Sequence, residues 1–382
     1  MPDTSPSASA ASSGADGSAC HVRAVSGLGA KSPAAFLVEV RGKRLLLDLG
    51  AGPEPGVRPD LTGLGRIDAI CLSHAHGDHV GALDARSELG NPPVWATAAT
   101  WAQVEPALVR QEARRLLPLK GSAEVLGIAV MTGRTGHAPG GVWLHLPGAG
   151  REGGGFTYMG DWTVESDLFP FDLPPQADFL IDDASYGNRD QGLADQIGAL
   201  AEAAREGAVL CVPAAGRGPE MALRLAGQGL KPLPCPVIRR EIEALAADDS
   251  GIIDTAPRAA MAALLKDGQL ADGAPTPQDI VITTDANAER GLAADLLARR
   301  EEGFRFIFTG YVPPGTPAER LLAAKDALWC GWNVHPRLGD MLWLAQQIKP
   351  RWVMPAFVKP ASASKLAGAG SATLLWEPDF TF

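Results

Sequence analysis

The chain has 382 residues, 46% of them hydrophobic and 20% charged, a globular composition long enough for two cores or one large elaborated one. A formal charge of −10 argues against loose, charge-driven attachment to nucleic acid, although bound cations and a local basic cleft can still supply a positive field. No segment is long and apolar enough to span a bilayer. Residues 1–18, rich in Ser, Ala, Gly and Asp with no basic start, read as a disordered tail rather than a secretory signal, so a cytoplasmic setting is expected.

The ordered part opens with expected strands over residues 21–25, 36–40 and 45–49, separated by Gly27-Leu28-Gly29 and Arg41-Gly42-Lys43 turns. The third ends in a carboxylate, Asp48, followed shortly by Gly50. A fourth apolar run, residues 67–72, feeds a loop and a helix start that carry His74-Ala75-His76-Gly77-Asp78-His79. Further strands are expected at 94–97, 127–131, 142–146 and 156–159, with helical periodicity over 101–117. Many short strands with few helices suggest an α/β sandwich.

Near Gln191 the pattern changes. Helices at 194–205, 219–226 and 288–300 alternate with strands at 208–213, 279–283 and 304–308, which reads as a parallel, Rossmann-like unit. It lacks a G-x-G-x-x-G fingerprint, so a dinucleotide is not indicated. After Gly331, a helix at 341–348 and a strand at 351–354 return to the first core. The expected organisation is a tail at 1–18, a core at 19–190, an insertion at 191–324 and a return segment at 325–382.

Chemistry is concentrated in a few places. Three imidazoles and a carboxylate between His74 and His79 are the ligand types of zinc and related divalent ions. Such a set serves packing poorly, because buried polar groups need partners. His74 and His76, two apart in an extended segment, point the same way, while Asp78 and His79 can face a neighbouring position, so two adjacent metal positions are expected. His137 in the Gly/Pro turn Thr135–Gly140 and Asp161 after a strand end offer the same chemistry from loops. His21 and His145 stand alone and read as ordinary surface or core residues. The five scattered cysteines, without C-x-x-C spacing, read as reduced and mostly buried.

A strand-end Asp48, the H-x-H-x-D-H of His74–His79, loop His137 and strand-end Asp161 together resemble the metallo-β-lactamase fold hydrolases. That resemblance implies an αββα sandwich in which His74, His76 and His137 hold one ion, Asp78 and His79 a second, and Asp161 bridges, with Asp48 orienting a ligand. The stretches Ala177–Gly187, Val212–Glu220 and Phe308–Tyr311 with Gly315-Thr316 are similar to motifs of the β-CASP nuclease branch, which includes ribonuclease J and the pre-mRNA 3′-end endonuclease. They imply an inserted β-CASP-type domain, and His335 falls where that branch has a histidine near the scissile phosphate. Two departures stand out. The closing histidine of the last strand, a second-metal ligand, is Phe357 here, and the Ser-Gly-Met segment is altered at Thr283–Asn287. A weakened or water-completed second site, or recruitment of His335, is therefore expected.

The resemblance implies a metal-dependent hydrolase, first a phosphodiesterase acting on RNA or single-stranded DNA. Its cofactor would be Zn2+, one or two ions, with Mn2+ the alternative. A divalent ion lowers the pKa of bound water from about 15.7 to near 7, and the resulting hydroxide, oriented by Asp78, would attack phosphorus. His335, held by Asp183, would contact the phosphate or protonate the departing oxygen. The second reading is a small-molecule hydrolase of a lactone, thioester or phosphodiester, favoured by the acidic charge and Phe357; a binding subunit without catalysis conflicts with the intact H-x-H-x-D-H. Nucleic acid is the expected partner, with no membrane and with a homo-oligomer left open. Trp329, Trp332, Trp343 and Trp352 read mainly as packing residues, and Arg205, Arg217, Arg224, Lys231, Arg239 and Arg240 as solvated surface or a nucleic-acid path.

Overall fold

The computed structural model describes residues 19–213, 215–266, 268–368 and 371–382, so the tail expected at 1–18 lies outside the described residues. Three sheets organise the chain. In the first, β1 (His21–Ser26), β2 (Ala35–Val40) and β3 (Lys43–Leu47) run antiparallel. Parallel strands β4 (Ala69–Cys71), β5 (Val94–Ala96) and β6 (Arg114–Leu116) extend it on one side.

The second sheet has antiparallel β7 (Gly121–Val125), β8 (Ile128–Arg134), β9 (Val142–Leu146) and β10 (Phe156–Tyr158). Three parallel neighbours follow, β11 (Phe179–Asp183), β17 (Trp352–Ala356) and β18 (Thr373–Leu374). The last strand, β19 (Asp379–Thr381), crosses back to pair with β1 and completes the first sheet at seven strands.

Strand alternation decides which side chains meet. Phe36, Val38 and Val40 of β2 join Leu144, Phe156 and Phe179 in a core between the sheets, while Ala35 and Leu37 face outward beneath a helical layer. That layer is α1 (Gly77–Val80), a 3-10 segment at Leu83–Leu89 and α2 (Ala98–Gln103), which contribute Val80, Leu83, Leu89 and Trp101. On the far side, α9 (Leu338–Ile348) lays Met341, Leu344 and Ile348 on Leu180 and Val353. The layers therefore run helix, sheet, sheet, helix.

The third sheet is five-stranded and wholly parallel, in the order β13-β14-β12-β15-β16. Its strands are β12 (Ala208–Cys211), β13 (Pro232–Pro234), β14 (Ile280–Thr283), β15 (Phe306–Phe308) and β16 (Ala327–Trp329). Ala208 and Leu210 of β12 pack under α3 (Leu193–Ala204), α4 (Arg217–Gly227), α5 (Pro236–Ala247) and α6 (Thr255–Lys266). Val209 and Cys211 pack under α7 (Gly291–Ala298) and α8 (Pro317–Ala323). Burial on both faces explains why β12 to β15 are almost continuously apolar.

Several expectations change. The helix expected over 101–117 is instead α2, a short 3-10 turn at Gln111–Ala113 and edge strand β6, because Pro106 removes a backbone donor and breaks the helix. The helix expected at 288–300 starts only at Gly291. The parallel sheet runs past the boundary expected at 324, since β16 is a three-residue edge strand with Leu328 and Trp329 about half exposed. No described helix is long and apolar enough to cross a membrane. The described cysteines are free, with Cys20, Cys71, Cys211 and Cys235 buried.

Candidate metal centre

Backbone crossings set the site before any side chain does. After β3, Leu49 N–H donates to His79 C=O at 2.9 Å and Ala82 N–H donates to Leu49 C=O at 3.0 Å, pinning the turn that carries Asp78 and His79. A Cβ on Gly50 would lie 1.8 Å from the Asp78 carbonyl oxygen, so only glycine permits this crossing. The turn between β8 and β9 is closed by Gly141 N–H to Ala138 C=O at 3.0 Å, which presents His137. Gly160, at φ +59°, lets the chain after β10 pass Ser73 and deliver Asp161.

Four potential ligands converge there. His74 Nε2 is 3.1 Å from His76 Nδ1, and His137 Nε2 is 3.0 Å from the same atom. Asp161 Oδ2 lies 3.5 Å from His137 Nε2 and 3.9 Å from His74 Nε2. A tetrahedral zinc with bonds of about 2.0–2.1 Å has ligand–ligand edges of roughly 3.3–3.4 Å, so these atoms span a coordination polyhedron.

The outward nitrogens fix the tautomers. His137 Nδ1 donates to Val334 C=O at 2.6 Å, and His76 Nε2 donates to Ala215 C=O at 3.4 Å. A carbonyl only accepts, so both rings turn a lone pair inward. His74 Nδ1 meets Ser73 Oγ at 3.0 Å, a hydroxyl that itself donates to Asp48. Three inward lone pairs with no proton between them need a cation. Burial, reinforced by the neighbouring imidazoles, holds His74 and His137 well below the ordinary histidine pKa and lowers His76 as well, so they stay neutral ligands. Asp161 Oδ1 is buried and makes no well-aligned hydrogen bond, meeting only the His79 ring at 3.2 Å, so a cation would complete its bonding. The residues fit a divalent ion.

A second group comprises Asp78, His79 and Asp161. Asp48 accepts His79 Nδ1–H at 2.7 Å, turning Nε2 to within 3.2 Å of Asp161 Oδ1. Burial alone would lower the His79 pKa, but the Asp161 and Asp48 carboxylates outweigh it and raise the pKa well above the usual value. Burial opposes ionisation of Asp161, yet His79 and His335 draw its pKa well below the ordinary carboxylate value.

The expected second set of residues also gathers here. His335 Nδ1 donates to Asp183 Oδ2 at 2.7 Å and stands 3.6 Å from Asp161 Oδ2, so these three form another group able to hold a metal. A buried network positions that segment. Asn333 Nδ2 donates to Glu165 at 2.7 Å, Asn333 accepts from Arg189 and Gln196, and Val334 N–H donates to Tyr186 Oη at 3.0 Å.

A cleft of about 380 Å3 leads from His76, Asp78, His137, Asp161 and His335 toward Arg217 and Tyr311 of the parallel-sheet unit. An adjoining cavity of about 590 Å3 adds Arg189, Trp329 and Lys359. Of the expected cationic set, Arg217 lines both spaces, while Arg205, Arg224 and Arg239 pair with Glu202, Asp167 and Asp272. Trp332 is fully buried. His145 is buried against Thr157, whereas His21 is partly exposed beside Glu39 and Asp379.

Sequence reasoning missed Ser73, Tyr158, Asn333 and above all Lys31. Tyr158 donates to Asp48 at 2.6 Å, and Lys31 lines both spaces near the ions' expected place. Burial would lower the Lys31 pKa, but Asp78, Asp161 and Asp183 outweigh it and keep the amine charged. No local spacing marks any of these residues, because each partner comes from a different strand end.

Residues 28–173 match the family model described as the metallo-beta-lactamase superfamily. A ribonuclease of Thermus thermophilus is 33% identical over 180 residues, covering 41% of this chain and 41% of that enzyme. Ribonuclease Z of Clostridium perfringens is 41% identical over 70 residues, 17% of this chain and 22% of that enzyme. The matched stretches thus cover well under half of these relatives' length. A crystal structure of a protein of unknown function from Enterococcus faecalis superposes with a TM-score of 0.58 at 15% identity, covering 96% of this chain and 100% of that one. The chain therefore carries a metallo-β-lactamase superfamily domain, and His74–His79, His137 and Asp161 fall inside it.

Proposed function

We propose that this chain is a metal-dependent phosphodiesterase that cuts RNA or single-stranded DNA. The observation that carries the reading is the convergence of three inward imidazole lone pairs with Asp161 at the floor of a cleft lined by Arg217 and Lys31. His74, His76, His137 and Asp161 hold the ion, which would be zinc or manganese and would supply Lewis acidity, lowering the pKa of a coordinated water from about 15.7 toward 7.

The chain's own groups do the rest. Asp78, at the lip of the cleft, orients the attacking water and accepts its proton. Asp183 accepts a hydrogen bond from His335 Nδ1–H, leaving Nε2–H to protonate the departing oxygen. Arg217 contributes positive charge along the backbone path, which offsets the chain's overall acidity. The parallel five-stranded unit, with Asp183 and His335 at its seam with the sandwich, supports assignment to the β-CASP branch.

Labelled single-stranded RNA and DNA incubated with pure protein, with and without chelator, test the reading. Chelator-sensitive cleavage of either is expected. Rapid hydrolysis of a lactone or thioester with no cleavage of either polymer would establish the small-molecule reading instead, which the acidic charge favours.

A further inference from the structure

The group formed by Asp78, His79 and Asp161 offers only three donors, and its next neighbour is a ring. Phe357 is 3% exposed and packs edge-on to His79, with centroids 5.6 Å apart. It donates no ligand atom. Its backbone has φ +63°, a left-handed conformation enriched in Asn, Asp and His and unusual for a bulky apolar residue.

Over this ring lies a cation. Lys31 Nζ is 5.4 Å from the Phe357 centroid, 3.9 Å from Asp78 Oδ2 and 3.3 Å from Ser185 Oγ. The loop that carries it is tied to the end of β17, for Phe357 N–H donates to Gly27 C=O at 2.7 Å and Leu28 bridges to Ala356. Lys31 also lines the metal cleft and the adjoining cavity. A second divalent ion on Asp78 would have to share its carboxylate with this ammonium, next to an apolar wall.

We propose that the Lys31 ammonium stands in for a second ion. The chain then works with one divalent ion at His74, His76, His137 and Asp161, and Lys31 is a catalytic residue that contacts a non-bridging oxygen of the scissile phosphate. This deepens the phosphodiesterase reading and its phosphate contact rests on it. Phosphoryl transfer depends mainly on positive charge placed at the phosphate oxygens, and an ammonium is a compact point charge with three donors. Phe357 supports it through a cation–π contact and excludes water from one side. Lys31 keeps its proton throughout. The water oxygen bonds to phosphorus and gives its proton to Asp78, as the bond to the departing oxygen breaks and that oxygen takes a proton from His335.

The test counts ions and reads turnover separately. Protein loaded with Zn2+ or Mn2+ and desalted is assayed for metal content, with thermal melting to verify folding and bis(4-nitrophenyl) phosphate as the diester. Wild type and K31M should each retain one ion. K31M should lose about 100-fold in kcat with KM changed less than about threefold, and K31R should recover part of the loss. F357H alone should stay at one ion, and K31M/F357H should hold two. Two ions in wild type, one ion in a folded double variant, or a K31M kcat within about threefold of wild type would each overturn the proposal. Should wild type cleave esters but no diester, the phosphodiesterase reading falls and the phosphate contact with it, while the ion counts still decide whether Lys31 excludes the second ion.

Discussion

Asp48 accepts the Nδ1 proton of His79 at 2.7 Å, and the same carboxylate oxygen accepts from Ser73 Oγ at 2.7 Å and Tyr158 Oη at 2.6 Å. Three donors on one oxygen, with Ser73 N–H on the other, leave no place for an amide NH2. Asp48→Asn should therefore weaken metal affinity by roughly 10- to 100-fold, because the Ser73 hydroxyl that meets Nδ1 of the ligand His74 at 3.0 Å loses the carboxylate that orients it. It should also cost about 1–3 kcal/mol of stability through the donor left unpaired. Competition with a fluorescent chelator and chemical denaturation check the two effects, and unchanged affinity would mean that Asp48 does not orient His74 through Ser73.

His335 and Asp183 separate from the metal ligands by their expected behaviour. His335→Ala should lower kcat by about 100- to 10,000-fold, the range for losing a general acid, while the bound ion remains. Asp183→Asn, which keeps the ring but exchanges its acceptor for an amide, should lose less in kcat and likewise retain the ion. Loss of the ion from His335→Ala would instead make His335 a ligand, the other role that its 3.6 Å approach to Asp161 permits.

Much of this site was legible because its ligands cluster in sequence. Four of the grouped residues lie between His74 and His79, and the strands that present them follow simple apolar alternation. His137 and Asp161 were legible by residue type at turn and strand end. Lys31 was not, since it reaches the site only through the tie between Gly27 and Phe357, two positions far apart in the chain. Within the fold, β16 and β6 were missed because edge strands half-exposed to solvent carry little apolar pattern. Helices α5 and α6 follow Pro and Thr starts but sit in stretches rich in Ala and charge, where periodicity is weak.

Gly50→Ala isolates the backbone's contribution. An added Cβ would meet the Asp78 carbonyl at 1.8 Å and the His79 amide nitrogen at 2.8 Å, both backbone atoms that cannot rotate away. The turn bearing Asp78 and His79 must then move. Overpacking of this kind costs about 1–3 kcal/mol, and because the ligand His76 caps the same turn, its displacement should lower retained metal before the fold is lost. Metal content and thermal melting of the variant read this directly. A full ion complement with an unshifted melt would show that the crossing tolerates a side chain.

Acid sensitivity offers a test away from the metal. His145 is 3% exposed, with Nδ1 2.8 Å from Thr157 Oγ1, and burial pushes its pKa down to about 4. In the unfolded chain the same ring titrates near 6.5, so as pH falls the unfolded state takes up its proton first. Stability should therefore decline from about pH 6.5 and level off below about pH 4, with this residue contributing at most about 3 kcal/mol from its 2.5-unit depression at about 1.36 kcal/mol per unit. His145→Gln keeps a hydrogen-bonding group without a titrating one. Urea unfolding of both proteins in excess chelator, which removes acid release of the ion from the comparison, should give curves that diverge between pH 6.5 and 4 with the variant less acid-sensitive. Parallel curves would mean that His145 is as easily protonated in the folded chain as in the unfolded one.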